Sequence, residues 1–111
     1  MDPTELKLQK LMAEVAAGGG NSTVMHAAVK QADTLDVVDL IVAKAGAKAS
    51  EYVNIRERTA KLNAPLHTAV EWQCPGGVIK LLRNGAKVNA VTADGDTALH
   101  LAVMRGNGEI V

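Results

Sequence analysis

Asp94-Gly95-Asp96-Thr97-Ala98-Leu99-His100-Leu101-Ala102-Val103 decides the fold, because the chain carries its phrase three times. His100 lies 33 positions after His67 in Ala64-Pro65-Leu66-His67-Thr68-Ala69-Val70. His67 in turn lies 41 positions after His26 in Thr23-Val24-Met25-His26-Ala27-Ala28-Val29. The chain has three histidines, and each stands at the same point of the phrase. Self-similarity at a period of about 33 marks an array of stacked helical units.

The composition agrees. With 111 residues there is room for one domain. Basic and acidic residues number 12 each, so no net field draws the chain to nucleic acid or an anionic membrane. Aromatics are limited to Tyr52 and Trp72, and the apolar residues are mostly Ala, Val, Leu and Ile, which suits short helices stacked closely. The single Cys74 excludes an internal disulfide. No basic, then apolar, secretory pattern opens the chain, and no apolar run approaches the ~20 residues that span a bilayer. The expected setting is soluble and intracellular, cytoplasmic or nuclear.

Taken in order, Asp2 to Ala17 reads as a helix, with Asp2 as cap, Pro3 at the first position and Leu8, Leu11, Met12 and Val15 as one apolar stripe. Gly18-Gly19-Gly20 ends it. A short helix capped by Thr23 follows, then a second from Leu35 to Lys44 closed by Gly46-Ala47. The next unit matches piece by piece: Leu66, Ala69 and Val70 on a first helix, Val78, Ile79, Leu81 and Leu82 on a second, Gly85-Ala86 at its end. Val88-Asn89 answers Val53-Asn54. The third copy starts at the Asp94-Gly95 turn and runs through Leu99, Ala102 and Val103.

These Pro/Ala-Leu-His-x-Ala-Val phrases, Gly-Ala helix ends and Val-Asn elements resemble those of ankyrin-repeat proteins. The resemblance implies an all-α solenoid of helix-turn-helix repeats with projecting β-turn fingers. It comprises an N-terminal capping helix at about 2–18 and an array at 21–111, with repeats at about 21–54, 62–94 and 95–111, the last truncated. It also implies that His26, His67 and His100 hydrogen-bond between loops and tie neighbouring repeats together. The eight additional residues between the first two histidines place an inserted, charged finger at about 48–63. Its Val53-Asn54-Ile55-Arg56 ahead of Pro65-Leu66-His67 is similar to the NF-kappa-B inhibitor type of ankyrin domain and to the precursors carrying the same array.

Some residues depart from the pattern. Ala64 stands where Thr is usual, removing a cap unless Asn63 replaces it. Cys74-Pro75-Gly76-Gly77 is expected to loosen the start of a helix and make the middle repeat the weakest. Glu109-Ile110-Val111 would begin a second helix for the third repeat. Its apolar face is then open, as in a fragment of a longer array, an incomplete gene model, or a protein whose end a partner covers. The same open end offers a surface for self-association.

No catalytic set emerges. Equivalent positions of stacked repeats lie roughly 10 Å apart, whereas metal–nitrogen bonds are near ~2 Å, so one ion cannot bind all three histidines. Cys74 and His67 lack an orienting third group and an oxyanion donor set. Asp94-Gly95-Asp96 lacks the further oxygen ligands of a calcium loop, and Gly18-Gly19-Gly20 is no phosphate loop. No cofactor is expected.

A non-catalytic protein-binding scaffold is the expected function. At ~100° per residue, Thr68, Glu71 and Trp72 point away from the buried stripe, as do Ala27, Lys30 and Gln31 in the first copy and Leu101, Met104 and Arg105 in the third. The expected partner surface is Glu71, Trp72, Leu101, Met104 and Arg105 on the concave face, with Tyr52, Arg56, Arg58, Thr92 and Asp94 on the fingers. The partner is another protein, possibilities including an NF-kappa-B-type transcription factor. The alternative is a substrate-recruiting ankyrin segment of a larger multidomain enzyme or signalling protein.

Overall fold

In a computed structural model, residues 2–20 and 22–106 are described. Helix α1 (Pro3–Ala17) starts where Asp2 accepts the Thr4 N–H at 2.7 Å. Pro3 occupies the first turn, where its missing N–H has no intrahelical acceptor to lose. Leu8, Leu11 and Val15 face the array, but only Leu11 is fully buried, and Met12 is exposed. A polar tie completes the docking: Lys7 Nζ donates to Asp33 O at 2.7 Å and Thr4 Oγ1 to Asp36 Oδ2 at 3.1 Å.

The first repeat is α2 (Val24–Ala28), a 3-10 turn at Ala32–Thr34, and α3 (Leu35–Ala45). Gly46 follows at φ 56°, a left-handed value that an L side chain resists. The charged insert expected at about 48–63 opens with helical structure. It contains a 3-10 turn at Gly46–Lys48 and a short helix, α4 (Ala49–Val53). Ala and Glu favour helix here, and Val53 at its end reaches the core and is fully buried. The second repeat is α5 (Pro65–Glu71) and α6 (Pro75–Arg83), and α7 (Ala98–Arg105) opens the third. A second helix from Glu109-Ile110-Val111 lies outside the described residues.

The first helices form one row, α5 packing on both α2 and α7, and α6 packs on α3 in a second row. The result measures 41 × 27 × 25 Å. No helix is long enough to be stable alone, so each unit depends on its neighbours. Fingers are stapled to one another by main-chain and side-chain bonds. Asn54 donates to Gly85 O at 3.1 Å and accepts from Lys87 N at 2.8 Å, and Ala93 N donates to Lys61 O at 2.8 Å.

His26 and His67 make the ties that the family resemblance implies, whereas the bonds of His100 among the described residues are local, to Thr97. His26 Nε2 meets Asn63 O at 2.7 Å, and His67 Nε2 meets Ala90 O at 2.9 Å, each on the loop preceding or following the next helix. Carbonyls accept only, so both rings carry their proton on Nε2. Nδ1 then accepts, from Thr23 Oγ1 at 2.6 Å in His26 and from Ala64 N at 3.0 Å in His67.

The weak point expected in the middle repeat takes a different form. Pro75 sits at the first position of α6, where it costs little, and Gly77 is buried. Residues 63–70 are all buried, so this repeat is the most thoroughly covered. Its missing cap is real: Asn63 does not supply one, since its Nδ2 donates to Glu71 Oε1 at 2.7 Å. Ala64 has φ −81° and ψ 163°, close to the −81° and 168° of Thr97, whose hydroxyl accepts the His100 N–H at 3.2 Å. Ala64→Ser is therefore expected to stabilise the chain by about 1 kcal/mol, read as a higher urea midpoint at unchanged slope. No rise in the midpoint would mean that the cap geometry is not reproduced.

A candidate partner-binding groove

Four and five positions after each histidine stand Lys30 and Gln31, Glu71 and Trp72, and Met104 and Arg105. These residues line one trough along the row of first helices. At its N-terminal end a hollow of about 390 Å³ is walled by Leu11, Val15, Ala27, Lys30 and Trp72. At the other end a hollow of about 200 Å³ is walled by Lys61, Asn63, Glu71, Leu101, Met104 and Arg105. A third hollow between them shares Lys30 and Trp72 with the first and Lys61, Asn63 and Glu71 with the second. Trp72 is 58% exposed, and Lys30 Nζ sits 4.7 Å from its ring centroid, a cation–π contact of about 0.5–1 kcal/mol that braces the indole.

Glu71 organises the centre. Its half-buried carboxylate accepts from Asn63, faces Arg105 Nη2 at 3.4 Å and lies 3.8 Å from Lys61 Nζ. Both cations are well exposed, so these pairs orient side chains more than they stabilise the fold. Asn63 Oδ1 is buried with no protein donor among the described residues.

The sequence-predicted residues divide accordingly. Glu71, Trp72, Met104 and Arg105 come together in the trough, and Asp94 lines its finger side. Leu101 and Thr92 also line it, but both are buried: they are walls and not projecting side chains. Thr68, expected to be free, is buried as well. A first helix in mid-row has neighbours on two flanks and behind, so the position after His67 is covered and only a narrow strip stays open. Tyr52 is exposed on α4 and lines a separate hollow with Ile41, Lys44 and Ala45. Arg56 is a clip between fingers, its Nη1 donating to Leu62 O and Val91 O. Arg58 is exposed and is not among the residues lining the trough. Lys61 and Asn63 line the trough without having been named as partner-binding residues, because residues in an insert have no copy to be read against, and Asp96 of the third phrase lines it as well.

His26 and His67 have both ring nitrogens committed to neighbouring groups, so neither is a free base or ligand. Cys74 is buried at the start of α6. Among the described residues no group of His, Cys, Asp and Glu is placed to hold a metal ion, and no helix is long and apolar enough to cross a membrane.

Stacked helix pairs, finger turns and histidine ties in one register define an ankyrin-repeat protein, and this chain is one. Residues 66–111 match the family model for ankyrin repeats in many copies. Ankyrin repeats are a non-catalytic module that mediates protein–protein interaction. Among curated proteins the chain is similar to the nuclear factor NF-kappa-B p105 subunit of Rattus norvegicus, 30% identical over 106 residues. That match covers 96% of this chain and 11% of the relative, so the chain spans about a tenth of that protein's length.

Proposed function

We propose that the chain is a scaffold that holds an NF-kappa-B-type transcription factor along the trough and fingers, in the cytoplasm or nucleus, and so acts as an inhibitor without a reaction of its own. The observation that carries the binding surface is the exposed, braced Trp72 set between two hollows, with Met104 and Arg105 one repeat further along. Trp and Arg are the types that dominate interface energetics, and a ring already held by Lys30 loses little freedom on binding. The class of partner is supported by the likeness to the p105 subunit across nearly the whole chain.

Titration calorimetry with the NF-kappa-B dimerisation region tests both halves. Trp72→Ala with Met104→Ala is expected to weaken binding at least tenfold while helical circular dichroism stays the same. Equal affinity of the double variant would sink the placement of the site, and no heat from the wild type would sink the partner. The relative's much greater length favours one second reading, in which the array recruits substrate for a catalytic domain elsewhere in a larger protein. A longer transcript encoding such a domain would decide for it.

A further inference from the structure

The two ends of the trough differ in kind. At the C-terminal end Glu71 already holds both cations that line the hollow, Lys61 at 3.8 Å and Arg105 at 3.4 Å. At the N-terminal end Lys30 is paired with no carboxylate among the described residues, and its ammonium rests over the Trp72 ring instead. Glu14 lines the same hollow from α1, but it is exposed and forms no ion pair there. Of the trough's three cations, Lys30 is the one left to an incoming anion.

The walls around Lys30 are apolar and come from three elements. Leu11 and Val15 stand on α1, Ala27 on α2, and Trp72 at the end of α5. Leu11 is buried and Val15 and Ala27 are partly covered, whereas most of the indole is open. At about 390 Å³ this hollow falls within the ~300–1,000 Å³ of pockets that take small organic groups, and the C-terminal one, at about 200 Å³, falls below it.

We infer that the hollow between α1 and Trp72 is the anchoring subsite of the trough for a partner segment in which a large apolar side chain lies beside a carboxylate. The inference rests on the trough being the partner surface and adds the chemistry of the segment it takes. The apolar group covers Trp72, Leu11 and Val15, and the carboxylate pairs with Lys30 without drawing a cation from Glu71. Charge decides against a basic segment, which would set like charge on Lys30 while Glu71 is already matched. It also gives the segment a direction, with its apolar and acidic residues toward α1.

Trp72 is the chain's single tryptophan, so its fluorescence reads this hollow in the intact protein. N-acetyl-leucine is expected to change the emission saturably at roughly millimolar concentration, as suits so small a ligand, while N-acetyl-alanine does not. The neutral N-acetyl-leucine amide should bind about threefold more weakly than the acid. Ala27→Leu, which fills the hollow, should abolish saturation with helical circular dichroism unchanged. Lys30→Gln, a surface change that is decisive even if Ala27→Leu fails to fold, should make acid and amide equal, and Glu14→Gln should tighten the acid alone. Equal binding of the leucine and alanine compounds, an acid preference that survives Lys30→Gln, or tighter binding of adenosine monophosphate, whose base could stack on the indole, would overturn the inference. These ligands read the subsite without a protein partner, so this inference and the proposed partner fail separately.

Discussion

Gly77→Ala is expected to destabilise the protein by about 1–2 kcal/mol and Gly77→Val by about 3 kcal/mol or more, while Gly76→Ala stays within about 0.5 kcal/mol of wild type. Both glycines lie in the first turn of α6, so alanine at either gains up to ~1 kcal/mol of helix propensity. Space separates them. A Cβ on Gly77 would stand 2.9 Å from Val29 O and 3.2 Å from Val29 Cβ, with Ala69 Cβ at 3.4 Å. Val29 caps the end of α2 and is fully buried, so its carbonyl cannot withdraw without moving a helix. On Gly76 the close atom is Leu35 Cδ1, at 2.7 Å, the far end of a side chain that can rotate away. Urea unfolding of the three variants checks the ordering. Equal stability of Gly77→Ala and Gly76→Ala would show that α6 does not rest on α2 at this point.

Mild acid is expected to weaken the fold through His26 and His67. Burial lowers both pKa values from the ordinary 6.5, against the smaller opposing pull of the carbonyls of Asn63 and Ala90. The hydrogen bonds agree with that direction for His67, since a proton on Nδ1 would face the Ala64 N–H that Nδ1 now accepts. Because the folded values are lowered, the unfolded chain takes up protons first as pH falls. The stability that the neutral rings contribute is therefore complete above about 6.5 and is lost as pH falls below it toward the folded values. Two such groups set a slope of at most about 2.7 kcal/mol per pH unit, and His67→Gln should reduce that limit to about 1.4. Urea midpoints between pH 7.5 and 5 read this directly, and a flat profile there would contradict the neutral, buried assignment of both rings.

The parts of this molecule legible in its sequence are those present in more than one copy. The phrase around His26, His67 and His100 placed the first helices, the buried alanines and the histidine ties, because a repeated residue has a repeated neighbour. Glu71, Trp72, Met104 and Arg105 were legible for the same reason, lying on the open side of a known helix face. Helix α4 and the Asn63–Glu71 bond were not, since they come from an insertion with nothing to align against. Leu99 and Val103 were read as core because their copies are core. The helix period says which side a residue takes, but only the neighbour decides whether that side is wet. Thr68 and Leu101 show the converse: their side of the helix was read as open, and flanking units cover it.

Helix α1 is the exception to this shared dependence. Its 15 residues extend about 22 Å yet sink only Leu11 completely, and three consecutive glycines follow it, Gly19 and Gly20 at positive φ. Leu8 and Val15 are only partly covered, and the polar part of its hold is the partly exposed Lys7–Asp36 pair at 3.2 Å, the Lys7 bond to Asp33 O and the Thr4 hydroxyl. Its free energy of detachment is therefore a small part of the whole, and the ionic share shrinks as salt rises. The array is expected to unfold as a cooperative block and α1 to open separately from it, baring the sides of α2 and α3 on which it packs.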